Sequence, residues 1–238
     1  MHEFYKKNKK KYLKEIEKLL TLGKVEIEEL FKEDFSIVVS KVQTTFETIF
    51  LLDMPYVGGN DNANDTHNLV DCCKAATLFV VGREYNLSDN QIGELLTNLM
   101  KKSFGTLPKF GQKIFRKIMK LSLTQKFLIK MTEKSKKFSK EYPYAWEFIY
   151  EKPDNEYSHK YICTRCGACM FLTEKGLGDI MPYICNIDYI AFASFGVPYY
   201  RNEVIGYGDK RCANLIKIDA DVITDNWPPH GLRKDGLK

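Results

Sequence analysis

The chain has 238 residues, 44% of them hydrophobic and 28% charged, with a formal net charge of +5. These totals suit a folded globular protein of one or two domains. They exclude a membrane-spanning helix, because no apolar run approaches the ~18 residues that crossing a bilayer needs. The Lys- and Glu-rich N-terminus has no apolar stretch of the kind a secretory signal carries, so a cytoplasmic protein without membrane association is expected. In that compartment the seven cysteines read as free thiols, ligands or nucleophiles rather than a disulfide framework.

The first part of the chain reads as helix after helix. Tyr12, Ile16, Leu19 and Leu20 form one stripe over residues 3–20, ended by Gly23. Helical spacing continues over 26–51, from Ile27 to Phe50. The loop DMPYVGGNDNAND, residues 53–65, then breaks the pattern. Its Gly58 and Gly59 fit a helix–helix connection that needs positive φ. Asn60 or Asn62 could instead donate hydrogen bonds to a ligand. A helix resumes near Thr66 and runs to about Tyr85. Ser88 and Gln91 match a capping box, opening a helix that buries Ile92, Leu95, Leu96 and Leu99.

Residues 101–140 hold thirteen Lys or Arg and a single acid, Glu133, so this block carries +12 and the rest of the chain −7. Such a block can be a nucleic-acid footprint. Two helices fit it, however. Phe110, Ile114, Phe115, Ile118 and Leu121 fall at helical spacing, as do Leu123, Phe127, Leu128 and Met131. These read as core beneath a solvated lysine face, and nucleic acid is not expected as a partner.

The texture changes after residue 140. Trp146, Phe148 and Tyr150 alternate with polar neighbours, which is strand periodicity. PDNE is a turn and YSHKYIC returns as a second strand. Helical character reappears from about Cys166 to Lys175 and from Gly178 to about Phe195. YYRNEVIGYGDKRCANLIKID reads as two strands around a Gly208-Asp209 turn, and the tail from Trp227 as irregular. The expected fold class is α+β: a helical N-terminal region, 1–140, followed by a region, 141–238, with an antiparallel sheet and two inserted helices. The two regions can form one compact domain.

Cys163, Cys166 and Cys169 stand in a C-x2-C-x2-C run. That spacing wraps an iron–sulfur cluster in bacterial ferredoxins, and with His159 a mixed zinc site is conceivable. Residue 170 is Met, the next cysteine is Cys185, and no second C-x2-C pair exists. No metal and no cofactor is therefore expected, with zinc or an iron–sulfur cluster as the alternative. Free cysteines also pack as small hydrophobes. Further on, Cys185 and Asp188 share a helix face, Arg201 and Glu203 alternate along one strand face, and Cys212 opens the last strand. A carboxylate, a guanidinium and two thiols could converge there on a small anionic substrate.

Four stretches, in order, carry a family resemblance: MPYVGGNDN, YPYAWEF, MPYICNIDYIAFASFG and YYRNEVIGYGDKRCANLIKI. Spanning Pro55 to Ile218, they resemble the L-2-amino-thiazoline-4-carboxylic acid hydrolases and their relatives in anaerobic bacteria. Where the family pattern has Asp after its last cysteine, this chain has Ala213. The resemblance implies a hydrolase that opens a small cyclic amidine or a related C–N substrate, here a thiazoline ring that becomes N-carbamoyl-cysteine. Cys185 would attack as thiolate or Asp188 would act as base on a water, with Cys212 as second candidate nucleophile. Arg201 would hold the substrate carboxylate through its planar fork. Glu203, Cys163, Cys166 and Asn60 would complete the binding site. Two other classes compete with this reading: a non-catalytic small-molecule binding or sensor module on the same scaffold, and the metal or cluster protein. No feature bears on oligomeric state.

Overall fold

The computed structural model describes residues 1–225, 227–229 and 232, so the tail expected to be irregular falls largely outside them. The N-terminal region is helical: α1 (Glu3–Thr21), α2 (Lys24–Phe31), α3 (Phe35–Thr45), α4 (Ala63–Glu84), α5 (Asp89–Phe104), α6 (Lys109–Met119) and α7 (Ser122–Glu141). Strands β1 (Glu147–Glu151) and β2 (His159–Arg165) follow. Then come α8 (Gly167–Glu174), α9 (Met181–Cys185) and α10 (Ile187–Ser194), and finally β3 (Tyr199–Arg201) and β4 (Cys212–Ile216). The strands form one antiparallel sheet in the order β1-β2-β4-β3. The fold is α+β, with helices inserted between β2 and β3.

Helix α4 is buried along most of its length, through Leu69, Cys73, Ala76 and Phe79 among others. Its small residues let neighbours approach closely. A Cβ on Gly82 would sit 2.6 Å from Ile92 of α5. Helix α5 starts with the expected capping box, in which the Ser88 N–H donates to the Gln91 side chain at 3.0 Å. One hydrophobic cluster takes side chains from Tyr5 in α1 to Cys212 in β4 and so draws on both the helical region and the sheet.

Four local expectations are corrected. The stretch 26–51 is not one helix. Lys32 adopts φ 53 and ends α2, Asp34 caps α3 by accepting from Ser36 N at 2.8 Å, and Phe46–Leu51 winds into a π-helical turn. The helix expected over 178–195 is a short 3-10 turn followed by α9 and α10, which meet at fully buried Asn186. The second hairpin is wide: β3 stops at Arg201, and Ile205–Tyr207 forms a 3-10 turn. That turn lies on α9, where a Cβ on Gly206 would be 2.8 Å from Cys185 Sγ. Glu203 is therefore off the strand and accepts from Arg211 Nε at 2.7 Å.

The fourth correction concerns α6 and α7. Their apolar stripes are not core. Helix α6 contains no buried residue. Its Phe115 and Met119 do pack against a small second cluster of Tyr189, Val197, Tyr199, Ile216 and Ile218. Phe110 and Phe127, by contrast, are 75% and 59% exposed. Helical spacing identified the apolar faces correctly, but among the described residues no other element covers the part formed by Phe110, Ile114, Ile118, Leu121, Leu123 and Phe127. Helix α7 is held by its far end, where Phe138 is buried and the Ser135 hydroxyl accepts from Phe148 N of β1 at 3.0 Å. Among the described residues no helix is long and apolar enough to cross a membrane.

Candidate functional site

Strand alternation builds one wall of the site. Register places Cys163 opposite Cys212, Tyr161 opposite Asn214, and Arg201 beside Asn214. Side chains two apart share a face, so Tyr161 and Cys163 of β2, Cys212 and Asn214 of β4 and Tyr199 and Arg201 of β3 project together. All six line a cavity of about 1150 Å³. The other wall is helical. Asp65, Asn68 and Cys72 lie at helical spacing along α4, Cys185 and Asp188 come from α9 and α10, and Cys166 sits at the start of α8. The family pattern's Asp would fall at Ala213, on the opposite face of β4 with Ile162 and Leu215. A carboxylate there would point away from the cavity.

Arg201 is a buried cation of the site, on the sheet wall. Its Nε donates to Asn214 Oδ1 at 2.8 Å and its Nη1 to the Cys185 carbonyl at 3.2 Å. Its Nη2 donates to Asp188 Oδ2. The guanidinium carbon also stands 5.4 Å from the centre of the Tyr199 ring. Asn214 is fixed in turn: its amide nitrogen donates to the Tyr161 carbonyl at 2.8 Å, and its oxygen also accepts from Tyr199 Oη. Asp188 is thus the carboxylate partner of Arg201.

The thiols differ in electrostatic setting. The Cys212 thiol is lowered from 9.0 to about 7, chiefly by a hydrogen bond from Cys163, helped by Arg201 and by the Ile205 N–H at 3.2 Å. Cys163 is raised correspondingly, by that same bond and then by burial. Its single S–H can serve either Cys212 or the Arg165 carbonyl, 3.2 Å away, so Cys212 is lowered while that proton points at Cys212. Burial raises Cys185 well above the ordinary thiol value, and Arg201 offsets only part of that. Burial also raises Cys166 to about 12 and Cys72 well above its ordinary value. The sulfur best placed to ionise is therefore Cys212, not Cys185.

Cys163 and Cys166 line the cavity, whereas Cys169, next in the run, bonds to Thr173 and does not. Both ring nitrogens of His159 are engaged, with Tyr150 Oη at 3.0 Å and the Met119 carbonyl at 2.7 Å. Among the described residues no group of three or more His, Cys, Asp or Glu is arranged to hold a metal ion.

Of the other expected binding residues, Asn60 is exposed and Glu203 pairs with Arg211, and neither lines the cavity. The loop is organised by Asn62 instead, which donates to the Val57 carbonyl and to Asp65 Oδ2, each at 2.8 Å. Gly58 and Gly59 have φ 108 and 57, and a Cβ on Gly58 would meet the Asn62 Cβ at 2.7 Å. Asp65, which also accepts from Trp146 N at 2.9 Å, is raised by burial above the ordinary carboxyl value. Asp65, Cys72, Tyr161 and Asn214 are cavity residues that the sequence reading did not single out.

Residues 77–214, more than half of the chain, match the family model described as L-2-amino-thiazoline-4-carboxylic acid hydrolase. No curated protein and no solved structure shows significant similarity.

Proposed function

The chain belongs to the L-2-amino-thiazoline-4-carboxylic acid hydrolase family, and from that membership we propose that its cavity hydrolyses a small anionic cyclic amidine with Cys212 as the nucleophile. The observation that carries this reading is geometric: the Cys212 thiol and the buried Arg201 guanidinium lie on one sheet face and line one cavity, and Arg201 helps to hold that thiol below its ordinary value. Arg201 has five N–H donors, and three are held by Asn214, Cys185 and Asp188. One on each terminal nitrogen is left for a substrate carboxylate. In this reading Asp188 positions Arg201 and balances its charge rather than acting as base.

For a thiazoline acid, the Cys212 thiolate bonds to the ring carbon that carries the amino group. The ring C–S electron pair passes to the ring sulfur, which takes a proton and leaves as a thiol. The enzyme then holds an S-linked isothiourea. Water adds to the same carbon, its oxygen becomes the carbonyl, and Cys212 departs as thiolate with release of one proton. The sum is substrate plus water giving an N-carbamoyl-cysteine. Asp65, whose carboxyl keeps its proton to higher pH because it is buried in the same cavity, is the candidate to supply the first proton.

The test is to incubate the protein with L-2-amino-thiazoline-4-carboxylic acid and follow free thiol together with a mass gain of one water. Appearance of both supports the reading. Saturable binding without turnover would replace it with a non-catalytic binding module.

A further inference from the structure

The apolar stripes of α6 and α7 are exposed faces that the cavity chemistry does not explain. On α6, Phe110, Ile114 and Ile118 recur every fourth residue, at 75%, 43% and 48% exposure, and Leu121 continues the line at 52%. On α7, Leu123 and Phe127 are 70% and 59% exposed. Single exposed apolar residues need no explanation, but a continuous stripe of large ones does. Lys113 and Lys117 flank it on α6, and Lys126 and Lys130 lie beside it on α7, all four exposed. Two cations of the block are tied to acids: Lys102 to Glu26 at 2.9 Å and Lys120 to Asp219 at 2.5 Å.

We propose that α6 and α7 dock the protein on an anionic phospholipid surface, with the apolar stripe entering the acyl boundary and the flanking lysines meeting the headgroups. A helix lying in that boundary pairs a bulky apolar face with a Lys-rich one, which is the arrangement of α6, where Phe110, Ile114 and Ile118 stand beside Lys113 and Lys117. Charge complementarity selects the occupant. The block carries +12 while the rest of the chain carries −7, so the molecule is polarised toward a negative plane. A second copy docked through the same stripe would bring two +12 blocks face to face. Nucleic acid would use the lysines but leave Ile114, Ile118, Leu121 and Leu123 without a partner. This contact is peripheral and needs no spanning helix, so it departs from the expectation of no membrane association while agreeing with the absence of a spanning helix among the described residues. It places the docking face next to the cavity, which Met119, Leu128 and Met131 of the same two helices help to line.

The experiment is co-sedimentation of the full chain with phosphatidylcholine vesicles, with and without phosphatidylglycerol, at low and at raised salt. Two variants are compared, Phe110→Ser/Phe127→Ser and Lys113→Gln/Lys117→Gln. Because all four positions are exposed, circular dichroism and thermal midpoint should match the parent. Expected is binding to the phosphatidylglycerol vesicles, little to the neutral ones, and weakening by about tenfold or more in each variant. No binding to phosphatidylglycerol vesicles at low salt overturns the proposal. So does binding that the lysine variant weakens and the phenylalanine variant leaves unchanged. Self-association abolished by Phe110→Ser/Phe127→Ser, without vesicle binding, would assign the face to a second copy instead.

Discussion

Replacing Asp188 by Asn tests how the cavity tolerates Arg201. The Arg201 side chain is 8% exposed and its carboxylate partner 48% exposed. Removing one member of a fully buried pair costs about 3–5 kcal/mol, because the other charge is left uncompensated. Water reaches half of the Asp188 side chain, and an Asn oxygen can still accept one hydrogen bond, so the expected cost is lower, about 2 kcal/mol. In a chain of this size each kcal/mol moves the midpoint by about 2–4 °C, so thermal unfolding followed by circular dichroism should shift down by about 4–8 °C. The double variant Asp188→Asn/Arg201→Met removes the orphaned charge and should unfold above the single variant. A single variant within about 1 °C of the parent would refute the claim that Asp188 is what makes the buried guanidinium tolerable.

Alkylation by iodoacetamide, read by peptide mass, should label Cys212 faster than the other cavity cysteines. Its rate should rise with pH and level off above about 7; a rate that keeps climbing toward 9.0 refutes the lowered thiol. The variant Cys163→Ala removes the hydrogen bond that contributes most to that lowering, so the same labelling curve should move to higher pH with the fold intact. Gly167→Ala puts a Cβ 1.9 Å from the Tyr144 carbonyl, a backbone atom that cannot swing aside. The variant should lose about 1–3 kcal/mol in urea unfolding, and an unchanged midpoint would contradict the packing at the start of α8.

Much of the site lay on short segments whose periodicity is local. Cys185 and Asp188 share a helical face by spacing, and Cys163, Arg201 and Cys212 fall on strands, so the sequence offers them as candidates for one site, but that they line one cavity depends on how the helices pack on the sheet. Asn214 was within reach of the same reasoning, since it stands two residues past Cys212 on β4. Asp65 and Cys72 were not, because nothing local says that α4 turns this side to the cavity that the sheet also lines. The order of the thiols was also hidden. It depends on the β2–β4 register, which sets Cys163 against Cys212, and on the Ile205 N–H delivered by the wide turn after β3. Alternation likewise put Glu203 on the Arg201 face, a reading that fails once β3 stops at Arg201. The stripes of α6 and α7 show the general limit. Periodicity tells which face is apolar, but only tertiary packing decides whether anything covers it.

The most direct test of the account compares Cys212→Ala with Cys185→Ala in the thiazoline hydrolysis assay, both variants checked for a native thermal midpoint. The account predicts that turnover is abolished in Cys212→Ala and survives in Cys185→Ala. Retained turnover in Cys212→Ala, with loss in Cys185→Ala, would contradict it and return the nucleophile to α9.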